Sequence, residues 1–165
     1  MEYLQVFDKD KNILNEKIER DNKYNLPENK YFMIVLIFIE NSKGKFLLQK
    51  TSKERHSCIA TTGGHVTFGD DGFTTVIKEV KEELGIDISD KEIIEFNSGC
   101  DGVDCYKMYY TKLDISMDEF VIQEEELSEV RWFSMEELED MVDKKILNQN
   151  QIDFFIKCQN FINNK

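Results

Sequence analysis

Residues 63–86, GGHVTFGDDGFTTVIKEVKEELGI, run from a glycine-rich loop into a helix whose second half carries three glutamates. With the helix starting near Gly72, Glu79, Glu82 and Glu83 fall at i, i+3 and i+4 and gather on one side. At roughly 100° per residue, Phe73, Val76, Ile77, Val80 and Leu84 fall on another side, expected to pack against the body of the protein. Three like charges within one turn repel one another. The pattern therefore reads either as a solvated acidic face or as a site for a divalent cation with oxygen ligands.

The chain of 165 residues is 41% hydrophobic, enough for a single domain, 1–165, with its own core. With 33 acidic against 21 basic residues its net charge is −12, so a broad attraction to nucleic acid is unexpected. An acidic protein that binds a polyphosphate needs metal ions to bring the two anions together. Cys58, Cys100, Cys105 and Cys158 form no CxxC pair and only two histidines are present, which argues against a zinc ribbon. The cysteines read as free thiols in a reducing compartment. The first residues, MEYLQVFDKD, lack the basic and long apolar regions of a signal peptide, and no apolar run approaches membrane-spanning length. The expectation is a cytoplasmic protein with no membrane partner.

Outward from the glycine loop, Tyr3–Phe7 and Ile13–Ile18 read as a hairpin within an N-terminal ribbon, 1–22. A polar connection, Arg20–Lys30, follows. Tyr31–Ile39 is almost continuously apolar, as in a strand covered on both faces, and Asn41–Gly44 turns it back into Phe46–Gln49 as the strongest hairpin of the chain. Lys50, Lys53, Arg55 and His56 make a locally basic loop suited either to solvent or to phosphate. Ile93–Ser98 and Val103–Leu113 are β-prone around a turn at Gly99–Gly102, and Val130–Phe133, with Trp132 as a core residue, is a last strand. Ser134 to Glu137 is a capping box opening a helix to about Lys145, and a final helix spans about Asn150–Asn163. Strands before and after a central helix, with helices at the end, make an α/β fold whose mixed sheet is covered on both faces.

The stretch from Gly64 to Ile86 resembles the Nudix box. Gly64 opens it, and Glu79, Val80, Glu82, Glu83, Gly85 and Ile86 stand at its glutamate, aliphatic and glycine positions. Asp70 stands where a glutamate belongs and Lys78 where an arginine belongs. The resemblance implies a Nudix-type α/β/α sandwich and a hydrolase of nucleoside diphosphates linked to another group, or of related small diphosphates, working with Mg2+ or Mn2+. On that resemblance Glu82 and Glu83 are the main metal ligands, Glu79 is a ligand or the base that activates water, and the Gly64 carbonyl completes the coordination. Lys78 joins the catalytic set, while Asp70, Gly63 and Gly85 support the site.

Glu124–Glu126 lie where many such enzymes supply another carboxylate, and Glu126 is the choice among them. Arg55 and His65 are candidate substrate contacts, His65 also reading as a residue that merely bonds within the loop. Exchanging Glu and Arg for Asp70 and Lys78 shortens the acid and replaces a forked donor by one ammonium, so a weaker or more mobile site is expected. A binding or regulatory domain of impaired activity is the alternative. The N-terminal ribbon and the segments around Gly63–Val66 and Val130–Ser134 also resemble the branch containing isopentenyl-diphosphate isomerase, which carries a cysteine where this chain has Gly63. Isomerase activity is therefore not expected. Substrate choice is expected from Arg20–Lys30, Thr51–Cys58 and Gly99–Asp104, and the ribbon's free edge suits a homodimer.

Overall fold

The computed structural model describes all 165 residues. Strands β1 (Tyr3–Phe7) and β2 (Ile13–Glu19) form an antiparallel hairpin whose turn is held by the Asp8 carboxylate, which accepts from the backbone of Asp10 and Asn12. The expected polar connection contains a 3-10 turn, Arg20–Asn25. There follow β3 (Phe32–Glu40), β4 (Phe46–Thr51), β5 (Ile59–Ala60), β6 (Thr62–His65), α1 (Gly72–Leu84), β7 (Ile93–Asp101), β8 (Asp104–Lys112), β9 (Leu127–Phe133), α2 (Met135–Asp143) and α3 (Gln149–Asn163).

β3 sits at the centre, parallel to β8 along its whole length and antiparallel to β6 through Ile34–Ile37. Its continuous apolar run is explained by cover on both faces. Met33, Val35, Ile37 and Ile39 join Val76, Val80 and Leu84 of α1 in one core, while Phe38 joins Leu138, Ile152 and Phe155 of α2 and α3 in the other. Trp132 packs partly buried against the first core. The mixed sheet is open, in the order β5-β4-β3-β8-β7 with β6 beside β3 and β9 beside β4. This is the expected α/β/α sandwich.

The hairpin expected between β3 and β4 is only half realised. Its turn forms, with Gly44 at φ +73°, but the two strands share a single register pair, Glu40 with Phe46, and then part. β6 takes the edge of β3 that β4 leaves free, and β4 pairs instead with β5 and β9. The chain crosses the resulting gap between Ala60 and Thr62, and so delivers Gly63, Gly64 and His65 to its rim.

α1 begins where expected. The Asp71 carboxylate accepts from Thr74 N at 2.7 Å and Gly85, at φ +70°, closes the helix in the left-handed region. Val76, Val80 and Leu84 are fully buried, each contributing about 1.5–3 kcal/mol. Phe73 departs from expectation and is 47% exposed, because the first helical turn reaches the rim of the sheet beside Ile93 and Lys107.

The N-terminal ribbon is sewn to the glycine loop. Gln5 N donates to Val66 O, Phe68 N to Tyr3 O, and the buried Gln5 side chain accepts from Gly69 N while donating to the β2 carbonyl of Leu14. β1 thus has no free edge along the loop, and the open edge of the ribbon is β2.

Two of the cysteines correct the free-thiol expectation. Cys58 and Cys158 are free, but Cys100 and Cys105 oppose each other across β7 and β8 and form a disulfide. The turn lies later than the sequence suggests: the strands continue to Asp101 and Asp104, with Gly102 at φ +61°, and this register sets the two sulfurs face to face. No helix is long and apolar enough to cross a membrane.

Candidate active site

Where β3 and β4 part, a cleft of about 470 Å3 is lined by Glu79, Glu82, Glu83 and Glu126 together with Gly63, Gly64, His65, Arg55 and, from the N-terminal ribbon, the paired Glu2 and Arg20. The groove between β4, β9 and α2 holds Arg131 and Lys144 beside Glu129 and Asp140, so it concentrates no single charge. In the cleft, by contrast, carboxylates outnumber cations.

Each carboxylate is placed by a separate device. Glu83 is buried at 7% exposure, and its Oε2 accepts from Gln49 Nε2 at 2.6 Å, while Gln49 Oε1 accepts from Thr62 Oγ1 at 2.7 Å. The three residues come from α1, β4 and β6 and close the bottom of the gap. Glu79 lies over Gly64: a Cβ there would come within 2.3 Å of its Oε1, so a side chain at 64 would displace the carboxylate. Glu126 arrives on a loop fastened to the end of α1, through Val121 N to Leu84 O and Gln123 N to Glu83 O. Its Oε1 accepts from Arg55 Nη2 at 2.8 Å. Glu82 is exposed at the mouth.

Crowding raises the proton affinity of this group. Burial, then the charges of Glu83, Glu82 and Glu126, push the Glu79 carboxyl up from 4.5 to about 7. Burial does the same to Glu83, up to about 7, against the opposing pull of the Gln49 hydrogen bond. No three acidic, thiol or imidazole groups stand close enough to form a ready cation cage. Hard carboxylate oxygens facing one cleft, of which only those of Glu126 and Glu2 have a cationic partner, nevertheless fit magnesium or manganese, whose charge would relieve the crowding.

Other expected site residues fall elsewhere. Lys78 does not line the cleft; it points across the surface to Asp70 Oδ2 at 3.1 Å, and that oxygen also accepts from Thr67 Oγ1 at 2.8 Å. Asp70 and Lys78 thus still join loop to helix, through one ammonium. Gly85 is the helix cap, packed on Val121. At Gly63 a Cβ would come within 2.3 Å of Val35 O, so this backbone has no room for the isomerase thiol. His65 packs on Phe32 and its Nε2 meets Lys23 Nζ at 2.9 Å. Burial first, then the Lys23 and Arg20 charges, lower its pKa to about 4, so the ring is neutral at pH 7 and accepts from the ammonium.

The sequence does not single out Gln49 or Thr62, and it marks Arg20 and Lys23 only as part of the Arg20–Lys30 segment expected to set substrate choice. Gln49 carried a signal: it is the polar residue in the apolar run Phe46–Gln49, where an inward position demands a partner. Within Arg20–Lys30 no local signal marks the two cations, since only the docked ribbon brings Arg20 to the cleft and Lys23 to His65.

The family model described as the NUDIX domain matches residues 30–155. A relative from Listeria innocua, "Uncharacterized Nudix hydrolase lin0387", is 28% identical over 141 residues, covering 77% of this chain and 80% of the relative. Among solved structures, DR0079 from Deinococcus radiodurans matches with a TM-score of 0.69 at 18% identity, covering 87% of this chain and 90% of that one. An Ap4A hydrolase from C. elegans matches with a TM-score of 0.62 at 17% identity, over 80% of this chain and 99% of that one. These two likenesses establish the fold alone.

Proposed function

The chain belongs to the Nudix family of diphosphate hydrolases, and on that premise we propose that it cleaves the diphosphate bond of a small compound, such as a nucleotide derivative, with Mg2+ or Mn2+. The observation that carries this reading is the convergence of Glu79, Glu82, Glu83 and Glu126 on one cleft, with Glu79 and Glu83 raised to about 7 by burial and crowding. Glu82, Glu83 and the Gly64 carbonyl would hold the metal, with Glu79 as a further ligand or as the base. The ion, once bound, supplies a water of lowered pKa and neutralises the diphosphate.

The residues of the chain do the rest. Glu79 lies against Gly64, where its carboxylate can take a proton from the attacking water. Gln49 and Thr62 keep Glu83 facing the cleft. Arg55, paired with Glu126 in the free protein, reaches the same cleft and can turn to the substrate's phosphate. His65 serves as an acceptor for Lys23 more directly than as a phosphate donor.

With the Asp70–Lys78 contact intact, these two departures from the box do not favour an impaired binding domain. The working compartment of the protein in this reading is the cytoplasm, and the Cys100–Cys105 disulfide is the observation that speaks against it. The test is a panel of diphosphate substrates with Mg2+ or Mn2+, using wild type and Glu83→Gln. Metal-dependent phosphate or monophosphate release that disappears in the variant is expected. Ligand binding without turnover by the wild type would instead favour the binding domain, and an allylic rearrangement of an isoprenoid diphosphate would favour the isomerase.

A further inference from the structure

Along β6 the cleft changes sign. Thr62 sits at the end where Glu83 and Gln49 meet, Gly64 beneath Glu79, and His65 at the end where Lys23 and Arg20 stand. Three residues of extended strand separate the two ends by about 10 Å. The basic end is built by the N-terminal ribbon and its 3-10 turn, which lie before residue 30, where the family match begins.

Both cations are held with donors to spare. A lysine ammonium only donates, so Lys23 gives one hydrogen to His65 Nε2 and keeps the others, while its charge lies near the Tyr24 and Phe32 rings, 5.0 and 4.9 Å from their centroids. Lys23 has no carboxylate partner. Arg20 binds Glu2 through Nη1 alone at 2.7 Å, leaving the rest of its guanidinium free at the cleft. Gln5 and the bonds between β1 and Val66–Phe68 fix the ribbon that carries Arg20. In a chain of net charge −12, two cations beside the single Glu2 carboxylate leave this end locally positive.

We propose that Arg20 and Lys23 form an anion subsite that receives a phosphate or other anionic group lying beyond the bond to be cleaved. The ribbon thereby selects diphosphates that carry such a further anionic group over those ending in a neutral group. This selection rests on the hydrolytic reading of the cleft; the subsite itself does not.

The experiment compares wild type with Arg20→Gln/Lys23→Gln. In the first arm inorganic pyrophosphate is titrated into metal-free protein by calorimetry. Binding by the wild type, weakened by roughly ten- to hundredfold in the variant, is expected, as for the loss of charge-assisted hydrogen bonds. Lys157→Gln, an exposed change on α3, should bind as the wild type does. Equal binding by all three proteins, or equal weakening in both variants, overturns the subsite.

In the second arm, with Mg2+, a nucleoside triphosphate is compared with a nucleotide sugar. The variant should raise KM for the triphosphate by roughly ten- to hundredfold with kcat little changed, and leave the sugar's constants alone. Equal losses on both substrates overturn the selection. Absence of turnover by the wild type on either substrate would count against the hydrolytic reading, and with it the selection, while the pyrophosphate titration still decides the subsite.

Discussion

Two side-chain contacts of opposite character tie the acidic helix α1 to its surroundings. On one side Glu83, Gln49 and Thr62 form a buried chain at 2.6 and 2.7 Å; on the other Lys78 crosses open surface to Asp70 at 3.1 Å. An exposed ion pair contributes about 0.2–1 kcal/mol, because water and salt screen it. Removing one member of a buried chain leaves partners unsatisfied, at about 1–3 kcal/mol each. The departures from the Nudix box, Asp70 and Lys78, fall on the exposed side, so we predict that the loosening expected from sequence is small.

The strongest way to probe the buried side is with protons. The folded state raises Glu79 and Glu83 from 4.5 to about 7, so between those values it holds protons that the unfolded chain has released. Stability must then fall as pH rises from about 4.5 through 7 and level off above it. His65 acts in the opposite direction, its lowered pKa adding stability as pH rises from about 4 to 6.5. Urea unfolding of metal-free protein at pH 5 and 8, referred to Glu79→Gln/Glu83→Gln so that His65 cancels, should show a loss on the order of 3 kcal/mol. Adding Mg2+ at pH 8 should recover it. No difference between the two proteins across this range would mean that the carboxylates are not crowded.

Next in size is Gln49→Met, which keeps the volume and removes both hydrogen bonds. A loss of about 1–3 kcal/mol in urea unfolding and a roughly ten- to hundredfold fall in kcat/KM are expected. Thr62→Val removes only the outer bond and should cost about 1 kcal/mol. Smallest is the double change Asp70→Glu/Lys78→Arg, which restores the family's pair. Its effect on kcat/KM should stay within about threefold, as suits a screened surface pair. A tenfold gain would return the weight to the exposed side.

Local chemistry made much of this legible. Asp71 and Gly85 bound the helix, the glutamate spacing gathers the acids, and Ser134 with Glu137 caps α2. What escaped depends on distant pairing. The parting of β3 and β4 follows from β6 taking an edge that a reading of neighbouring strands assigns to β4. Gln49 and Thr62 gain their meaning only once that gap brings them under Glu83. Phe73 has the apolar spacing of a core residue, but the sheet ends beneath it. The Cys100–Cys105 bond depends on where within Gly99–Val103 the chain reverses, a choice two glycines leave open. Arg20 and Lys23 lie in a segment expected to set substrate choice, but nothing local distinguishes them from its other polar residues until the ribbon docks.

The most direct measurement is a Mn2+ titration, followed by electron paramagnetic resonance at pH 8, of wild type, Glu83→Gln, Gln49→Met and Lys78→Met. The wild type should bind the ion, Glu83→Gln should bind it least, and Gln49→Met should be roughly tenfold or more weaker than wild type. Lys78→Met should stay within about threefold. A wild type that takes up no Mn2+, or a Lys78→Met protein weaker than Gln49→Met, would contradict the account.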